Sequence, residues 1–445
     1  MTCAKSERLQ RSNPTQPDND PMSALLFIGL PAALIALGFP IFLAILAASL
    51  LIMHVDGIVP EAIQPIIFGS LQSFPLLAVP LFIVAGDIMG QGGIARRIVD
   101  WVLALLGGVR GSLPLATVAS SEMFGTISGS SLGCMVAVGR LLYPSMRENG
   151  YSERFSVGII TSAGAIAIVV PPSIAMILYS LTAQQSLTKL FAAGILPGIL
   201  IGTLLSVYIV WKTRAERLPL TARARWENVW AKTREAAWSL GMILVIFGGI
   251  YGGIFTPTEA AGVAVVYAIF VTHVVHREMP LVKLWEIFQR SATLTGSILI
   301  IVAAANVYSW LLTASGLPAA FAASIQQMHL GYAGTMLIIN VVLLLVGSVL
   351  EPPAAILILV PVLLPLVTTF HVDPIHFGIV AVVNLSIGMF LPPFGLNIFA
   401  AKALFGVSFE QIYRGVLPFV AINVFALILI VCFPLISLTI PRLTN

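Results

Sequence analysis

Two short polar motifs interrupt long apolar segments of this chain, and their residue types suit ion binding. They are Ser128-Gly129-Ser130-Ser131, and Gly347-Ser348 followed by Glu351-Pro352-Pro353. Hydroxyl and carbonyl oxygens bind small cations, whereas backbone N–H groups at the start of a helix bind carboxylates. The motifs therefore indicate a site that could hold a cation and an organic anion together.

Two proline pairs interrupt the apolar segments that follow those motifs. Pro171-Pro172 is followed directly by Ser173, and Pro392-Pro393 lies shortly before Asn397. Proline inside a helix removes one hydrogen bond and collides with the carbonyl one turn earlier, so each pair predicts a helix break. The carbonyl oxygens released at such a break are suitable ligands for Na⁺.

The chain that must position these motifs is strongly apolar. Of its 445 residues, 58% are hydrophobic and 9% are charged. A bilayer core of about 30 Å needs roughly 20 apolar residues per helix, and such windows recur along the chain. In lipid, every backbone N–H and C=O group must form its hydrogen bond within the protein, which requires helices or a closed barrel. The apolar segments lack the alternating pattern of barrel strands, so we predict an all-α polytopic membrane protein. The expected spans are Leu25–Met53, Ile63–Met89, Ile98–Leu113, Phe155–Leu181, Leu187–Trp211, Leu240–Phe255, Gly262–Val275, Leu294–Leu312, Leu317–Met328, Ala333–Leu350, Phe377–Leu404 and Val416–Leu438.

The distribution of charge predicts the orientation. The net charge is +4, but the basic residues cluster at the ends of apolar segments, which favours membrane orientation over nucleic-acid binding. The basic residues between Lys212 and Arg234 predict a cytoplasmic loop over residues 213–237. Trp226 and Trp230 recur there at helical spacing, which favours an amphipathic interfacial helix over a solvated linker. The polar segment 1–21 predicts a disordered tail.

A gapless internal repeat relates two parts of the chain. Pro171-Pro172 matches Pro392-Pro393 and Pro197 matches Pro418, with one offset of 221 residues. Counting spans between the copies gives them opposite orientations, provided that Leu317–Met328 crosses the membrane. Inverted repeats with broken helices are typical of secondary transporters. The predicted repeats are residues 22–212 and 238–445, with re-entrant hairpins at about 116–145 and 347–370.

Structural roles are the alternative interpretation of these motifs. Proline and glycine are common in membrane helices as kinks and packing points, and Gly164 and Gly388 before the breaks would permit close backbone approach. Four motifs at matched positions in two copies favour the ion site. Glu351, an acid at a predicted re-entrant tip, could take part in ion coupling or cap the helix that follows.

Other functions fit less well. Gly129-Ser130-Ser131-Leu132-Gly133 matches the GxSxG pattern of hydrolases, but no predicted strand precedes it, so we expect no enzyme. A channel could also use re-entrant hairpins, although duplicated breaks in opposed halves favour alternating access. The three cysteines lie far apart and indicate neither disulfide nor metal knuckle. No cofactor is expected other than Na⁺ as the coupling ion.

Several motifs together resemble one transporter family. They are GTISGSS at residues 125–131, VVPPS at 169–173, GIFTPTEAAG at 253–262, DPIHFGIV at 373–380 and FLPPFGLNIF at 390–399. From Met22 onward the chain resembles the large permease subunit of the tripartite ATP-independent periplasmic (TRAP) transporters. The absence of a GxxxxGK[ST] phosphate loop in the sequence agrees with ATP independence.

The resemblance implies a function and partners. It implies sodium-coupled uptake of small organic acids across the bacterial inner membrane by an elevator movement of both hairpins. The implied partners are a small four-helix membrane subunit, a periplasmic substrate-binding protein and the lipid bilayer. A free-standing sodium–dicarboxylate carrier or cation antiporter of elevator type remains the alternative.

The resemblance also implies site residues. This chain departs from many family members in having Leu391 and Ala165 where hydroxyl-bearing residues are common, which weakens side-chain ligation but leaves carbonyl ligands. Arg140 and Lys402 are candidates to hold a substrate carboxylate only because they lie near the breaks. The sodium candidates are Ser130, Gly164, Pro171, Pro172, Ser173, Gly347, Ser348, Glu351, Asn384, Gly388, Pro392 and Pro393, and the substrate candidates are Ser128, Gly129, Ser130, Ser131, Ser348, Pro352, Pro353 and Asn397.

Overall fold

The computed structural model describes residues 25–215 and 224–443, and all regular structure in these ranges is helical. The predicted tail 1–21 lies outside the described residues. Short π segments cover Leu25–Gly29 and Phe270–Val275, and 3₁₀ turns cover Pro60–Ala62 and Phe74–Leu77. The α-helices are α1 Leu30–Ala36, α2 Ile41–Val55, α3 Ile63–Leu71, α4 Ala78–Gln91, α5 Ile94–Leu105, α6 Ser112–Ser128, α7 Ser131–Glu148, α8 Glu153–Ile166, α9 Ile174–Thr182, α10 Leu187–Ala215, α11 Trp226–Tyr251, α12 Pro257–Ile269, α13 Leu281–Ala314, α14 Leu317–Gln327, α15 Gly331–Val349, α16 Pro352–Thr369, α17 Pro374–Gly388, α18 Leu396–Phe405, α19 Phe409–Cys432 and α20 Leu435–Leu443.

Two helical hairpins carry the serine- and glycine-rich motifs at their tips. The first is α6–α7, joined by Gly129 and Ser130, and the second is α15–α16, joined by Leu350 and Glu351. Gly129 has a φ of 56°, a conformation that glycine adopts without strain, which lets the chain reverse within two residues. Ser128 and Ser131 are only 5% and 4% exposed, so the first tip is enclosed by protein. Each hairpin begins earlier than expected, at 112 and at 331.

Each proline pair produces the predicted helix break. The segment between α8 and α9 contains Pro171-Pro172, and the segment between α17 and α18 contains Pro392-Pro393; both pairs have a cis peptide bond. Ser173 and Gly395 lie directly before the helices that restart. The apolar segments that follow the hairpins are therefore pairs of short helices rather than single spans.

The order of elements recurs along the chain. Helices α6 to α10 form a series of two hairpin arms, two halves of a broken helix and one long helix, and α15 to α19 form the same series. Corresponding helices begin 219 to 222 residues apart. This spacing agrees with the offset between the proline motifs.

The two series pack tightly against each other. Helix α8 packs on α19, α9 packs on α16, and α10 packs on α17. Gly158 makes the first contact possible, because a Cβ there would lie 2.6 Å from the carbonyl carbon of Gly415. Six further helices surround this core and pack in three pairs, which are α2–α13, α4–α12 and α5–α11.

Eight helical segments within the described residues are long and apolar enough to cross a membrane. They include α10, α11, α13 and α19, together with both arms of the second hairpin. The arms of the first hairpin carry more polar residues and are not among them. The polytopic, all-helical prediction is confirmed, whereas several expected boundaries are wrong.

Glycine and proline explain the boundary errors in the first part of the chain. The expected span Leu25–Met53 is divided at Gly38 and Pro40, where α1 ends and α2 begins. Likewise Ile63–Met89 is divided into α3, a 3₁₀ turn and α4. The expected span 98–113 does not exist: α5 ends at Leu105, and the glycine-rich turn after it leads directly into the first hairpin.

In the second half of the chain, the length of the helices explains why two expected membrane spans are wrong. Helix α14 has 11 residues, about 16 Å at 1.5 Å per residue, and is too short to cross about 30 Å of hydrocarbon. The expected crossing by Leu317–Met328 is therefore wrong. The expected span Ala333–Leu350 is instead α15, the first arm of the second hairpin.

The expected interfacial helix is not a separate element. Residues Trp226 to Tyr251 form one continuous helix, because the sequence between Trp230 and Leu240 contains neither glycine nor proline. Its basic end packs on α5, where Trp101 Nε1 donates to Thr233 Oγ1 at 3.0 Å. Trp226 and Trp230 point outward and are 81% and 69% exposed. Part of the expected loop, residues 216–223, lies outside the described residues.

An ion pair joins α5 to the loop before α13. Arg97 donates to Glu278 through Nη1 at 3.2 Å and Nη2 at 2.6 Å. This bidentate hydrogen bond holds the pKa of the Glu278 carboxyl below its usual value. Because both side chains are partly exposed, the pair contributes at most about 1 kcal/mol.

The pH dependence of this pair is testable. A lowered carboxyl pKa means that stability is present above the usual glutamate pKa and is lost as pH falls through the lowered one. We expect Glu278→Gln to lower the melting temperature of the purified protein at pH 7 by a few degrees at most. The difference from the wild type should shrink toward acid pH. An equal difference at every pH would contradict this electrostatic account.

Candidate functional site

The first hairpin tip is assembled around its serines. Ser130 is the N-cap of α7, and its Oγ accepts a hydrogen bond from Gly133 N at 3.2 Å. Ser128 lies against α4, because a Cβ at Gly86 would lie 2.7 Å from Ser128 Cα. The first break lies beside this tip, since a Cβ at Gly129 would be 3.6 Å from Pro172 O and from Ile174 N. The structure thus brings the predicted first cluster together.

Asn397 connects the second break to the first hairpin. Its Nδ2 donates to Ser131 Oγ at 2.8 Å and to Thr161 O at 3.2 Å, and the Ser131 hydroxyl is 3.2 Å from Asn397 Oδ1. Asn397 is completely buried. Its own N–H donates to Met389 O at 2.9 Å across the break. One amide side chain therefore holds α18, the first hairpin tip and α8 together.

The second hairpin tip touches the same break from another side. A Cβ at Gly388 would lie 2.7 Å from both Gly347 Cα and Gly347 O. In the first half, a Cβ at Gly125 would lie 2.5 Å from Ala167 O. In both halves the hairpin arm thus approaches the broken helix backbone to backbone, which only glycine at these positions permits.

Two asparagines lie beside the second tip. Asn384 Nδ2 donates to Asn340 Oδ1 at 2.7 Å and to Val380 O at 2.7 Å. Asn384 is completely buried, and its Oδ1 accepts no hydrogen bond from the residues that the structure describes. A buried amide oxygen without a donor is a suitable ligand for a cation. This geometry fits the prediction that Asn384 binds sodium.

Equivalent positions of the two halves meet at the centre. Ser386 Oγ donates to Ala165 O at 2.8 Å, and these two residues are 221 positions apart. Ser386 is thus the residue that corresponds to Ala165 under the repeat offset. A contact between equivalent residues is expected where a two-fold axis passes. Near this axis the two breaks and both hairpin tips converge.

Among the predicted sodium-site residues, Gly164 and Ser348 have structural roles, whereas Ser173 has a free hydroxyl in the described structure. Gly164 lies inside α8, where a Cβ would be 2.9 Å from Met135 Cα, so it serves helix packing. Ser173 Oγ is buried without a partner among the described residues. Ser348 Oγ donates to Leu345 O at 2.7 Å, within its own helix.

Glu351 does not form the expected helix cap. It occupies the N-cap position of α16, but its side chain makes no capping hydrogen bond and is exposed. Pro352 and Pro353 at the first two helical positions lack N–H groups, and Pro353 thereby removes one of the two donors, at N2 and N3, that a capping carboxylate accepts from. The same deficit means that these prolines cannot donate hydrogen bonds to a substrate. A carboxylate would find more amide donors at the start of α7.

The two basic candidates for a carboxylate clamp lie away from the tips. Lys402 Nζ lies 4.7 Å from the centre of the Phe409 ring, in a cation–π contact. Arg140 is exposed on α7, nine residues or about 13 Å beyond Ser131. Neither side chain is placed to hold an anion at the first hairpin tip.

Several participants in this site carry no local signal in the sequence. Thr161 and Asn340 lie in helix interiors with no local motif around them, and their roles arise from contacts between distant helices. Ser386 could have been found, since it occupies the position that matches Ala165 in the repeat. The repeat offset of 221 residues is therefore the sequence signal that identifies Ser386.

These features define a class of protein. Broken helices and paired hairpins with a buried tip, in a chain with eight candidate spans, are the construction of a multi-pass membrane transporter. Residues 28–436 match the family described as "Tripartite ATP-independent periplasmic transporter, DctM component". The chain belongs to this family, and it is a multi-pass inner-membrane permease and not an enzyme.

Characterised relatives agree with this family. The chain is 38% identical to the C4-dicarboxylate TRAP transporter large permease protein DctM of Pseudomonas aeruginosa, covering 89% of this chain and 92% of that protein. It is 36% identical to the 2,3-diketo-L-gulonate TRAP transporter large permease protein YiaN of Escherichia coli, covering 93% and 97%. The corresponding values for the ectoine TRAP transporter large permease protein TeaC of Halomonas elongata are 35%, 93% and 97%.

A solved structure shares the fold. The YdaH transporter of Alcanivorax borkumensis superposes with a TM-score of 0.56 at 15% sequence identity, over 84% of this chain and 88% of that one. At this identity the likeness concerns the fold alone.

Proposed function

We propose that the chain is the transport subunit of a TRAP system that takes up small organic acids with sodium. The observation that carries the proposal is the convergence of two hairpin tips on two helix breaks at the centre of the fold. Such breaks offer carbonyl oxygens to a cation, and helix starts offer amides to a carboxylate. The substrates named for relatives, C4-dicarboxylates and 2,3-diketo-L-gulonate, are organic anions of this kind.

Sodium is proposed to bind in both halves. The first site would use oxygens of Ser130, of the break at Pro171-Pro172 and of Ser173, whose buried hydroxyl has no partner in the described residues. The second would use the tip at Gly347, the carbonyls around Gly388 and the unpaired Oδ1 of Asn384. Pro392 and Pro393 lie in the second break, whereas Gly164, Ser348 and Glu351 are not assigned as ligands.

The proposed topology supports inverted repeats, and an elevator movement is proposed with it. Between the basic segment after α10 and the second hairpin, three long spans cross the membrane: α11, α12 with its π extension, and α13. An odd number of crossings places the hairpins on opposite sides, although α14 does not cross. Both hairpins and both broken helices would then move together against the surrounding helices.

The proposed partners are a small four-helix membrane subunit and a periplasmic binding protein that delivers the substrate. The test is uptake of a labelled C4-dicarboxylate into proteoliposomes containing the chain and its small subunit. We expect uptake only with an inward sodium gradient and added binding protein. Uptake without the binding protein would instead identify a free-standing carrier, and uptake without sodium would refute the coupling.

Asn384 provides a specific test of the second sodium site. We expect Asn384→Ala to raise the sodium concentration for half-maximal uptake about tenfold, which corresponds to about 1.4 kcal/mol of lost cation binding. The matched control is Asn423→Ala in α19. Asn423 is also completely buried, donates to the carbonyl four residues earlier and has an unpaired Oδ1. Equal shifts in the two variants would show that loss of a buried amide, not of a sodium ligand, is responsible.

A further inference from the structure

A buried carboxyl group in the first hairpin has no role in the site described above. Glu122 lies in α6, six residues before the tip, and faces α10. Its Oε1 is inaccessible and has no hydrogen-bond partner among the described residues. A Cβ at Gly202 would lie 2.7 Å from Oε2, so only glycine at position 202 leaves room for the carboxyl group.

The position of Glu122 corresponds to the middle of the membrane. Gly202 precedes Trp211 in α10 by nine residues, or about 13 Å along the helix. Trp211 is exposed and begins the basic segment, as expected for a residue at the membrane interface. Half of the hydrocarbon core is about 15 Å, so Glu122 lies near its midplane. An ionisable residue at this depth is a functional candidate by default.

The group shares a cavity with a row of polar residues on α10. The cavity has a volume of about 910 Å³ and is lined by α6 and α10, with Thr203, Ser206 and Arg214 on the α10 side. These residues recur at spacings of three and eight, which places them along one side of the helix. They extend from Glu122 to the basic end of α10.

Within residues 25–215 and 224–443, no basic side chain forms an ion pair with Glu122. Helices α4, α5, α7, α8, α10 and α11 pack against α6. From these helices, the Cys134 thiol of α7 donates to Ser121 O at 3.3 Å, and Arg214 lies about 18 Å along α10 from Gly202, at the other end of the cavity. Asp87 of α4 accepts a hydrogen bond from Ser291 of α13 instead.

The cavity is better suited to a proton than to sodium. Sodium needs several oxygen ligands at once, and the cavity lining is mainly apolar. The hydroxyl of Thr203 already donates to Ile199 O at 2.7 Å. A single proton, by contrast, needs only the carboxylate itself and removes the unpaired charge from the hydrocarbon.

We propose that Glu122 is a proton-binding site of the first hairpin, where its carboxylate takes a proton from hydronium, leaving water, and holds it as a neutral carboxylic acid. Since α6 carries the hairpin tip, binding and release of this proton make transport depend on pH in addition to sodium. The link to transport rests on the proposed function, whereas proton binding itself does not.

The first test observes the proton directly. Infrared difference spectra of the purified full chain in lipid, recorded during a pH titration, report the carbonyl stretch of protonated carboxylic acids. We expect a band that titrates in the wild type and is lost in Glu122→Gln. The control is Glu410→Gln, which removes an exposed carboxylate paired with Arg414 and should retain the band. A Glu122→Gln spectrum identical to that of the wild type would overturn the proposal.

The second test observes the effect on uptake. In proteoliposomes with a fixed sodium gradient, we expect uptake by the wild type to vary with pH and uptake by Glu122→Gln to lose that variation. The same pH profile in both proteins would overturn the coupling role. Absence of sodium-driven uptake in the wild type would refute the proposed function, and the infrared titration would still decide whether Glu122 binds a proton. If Glu122→Gln fails to fold, Gly202→Ala displaces the acid without removing it and should shift the titration of the band.

Discussion

Gly388→Ala is expected to reduce transport about 100-fold. The new Cβ would lie 2.7 Å from Gly347 Cα and O, and these are backbone atoms that cannot rotate away. Overpacking of this kind costs about 1–3 kcal/mol, and the upper end applies where both partners are backbone. Because Gly347 and Gly388 are both in the proposed second sodium site, the forced separation alters the site itself. A loss of about 3 kcal/mol in the bound state corresponds to roughly 100-fold.

The measurement is sodium-driven uptake of a labelled substrate, together with the melting temperature of the purified variant. Gly296→Ala is the matched control, because Gly296 also lies in a helix but has nothing within 4 Å of its Cβ position. That change should leave uptake unaltered and stabilise the protein by up to about 1 kcal/mol through higher helix propensity. Normal uptake by Gly388→Ala would show that the close approach of hairpin and broken helix is unimportant.

The second large effect is expected for Asn397→Ala. This change removes the amide that joins the second break to Ser131 and to Thr161 O, in a completely buried position. Leaving a buried polar group without its partner costs about 1–3 kcal/mol, and here both Ser131 Oγ and Thr161 O lose the hydrogen bond from Asn397. We expect a free energy of unfolding lower by about 3 kcal/mol and a loss of most uptake.

The conservative variant Asn397→Asp separates structure from binding. It retains an oxygen that can accept from Ser131 but loses the Nδ2 donor to Thr161 O. It should therefore recover part of the stability but little of the uptake. Asn149→Ala, which removes an exposed asparagine whose side chain donates to Ser145 O, serves as control and should change stability by less than about 0.5 kcal/mol. Equal effects at positions 149 and 397 would refute the bridging role.

Local chemistry made much of the site predictable. Proline has no N–H and glycine has no Cβ, so a helix must break at Pro171-Pro172 and can reverse at Gly129 whatever the rest of the chain does. The polar tips and the breaks were for this reason located correctly from the sequence. The repeat offset relied on the same residues and agrees with the spacing of the helices.

Partners across long distances were not predictable in this way. The contact between Asn397 and Ser131 joins residues 266 positions apart, and nothing in the sequence near either one indicates the other. Asn340 and Glu122 likewise lie in helices without a motif. Asn340 matters because it accepts a hydrogen bond from Asn384, and Glu122 because Oε1 is buried without a partner in the described structure. Lys402 shows the converse. Its position near a break in the sequence made it a candidate for binding the substrate carboxylate, but in the structure its ammonium group lies over the Phe409 ring.

The sequence by itself determined that the chain folds in lipid and where its helices end. A chain that is 58% hydrophobic must satisfy its backbone in lipid, which requires helices, and proline and glycine fix where those helices end. Only the tertiary structure decided which helices are too short to cross, as α14 is, and which side chains meet at the centre. The reason is physical: hydrogen bonding within a helix is local, whereas the packing of hairpin tips on broken helices depends on the arrangement of the whole bundle.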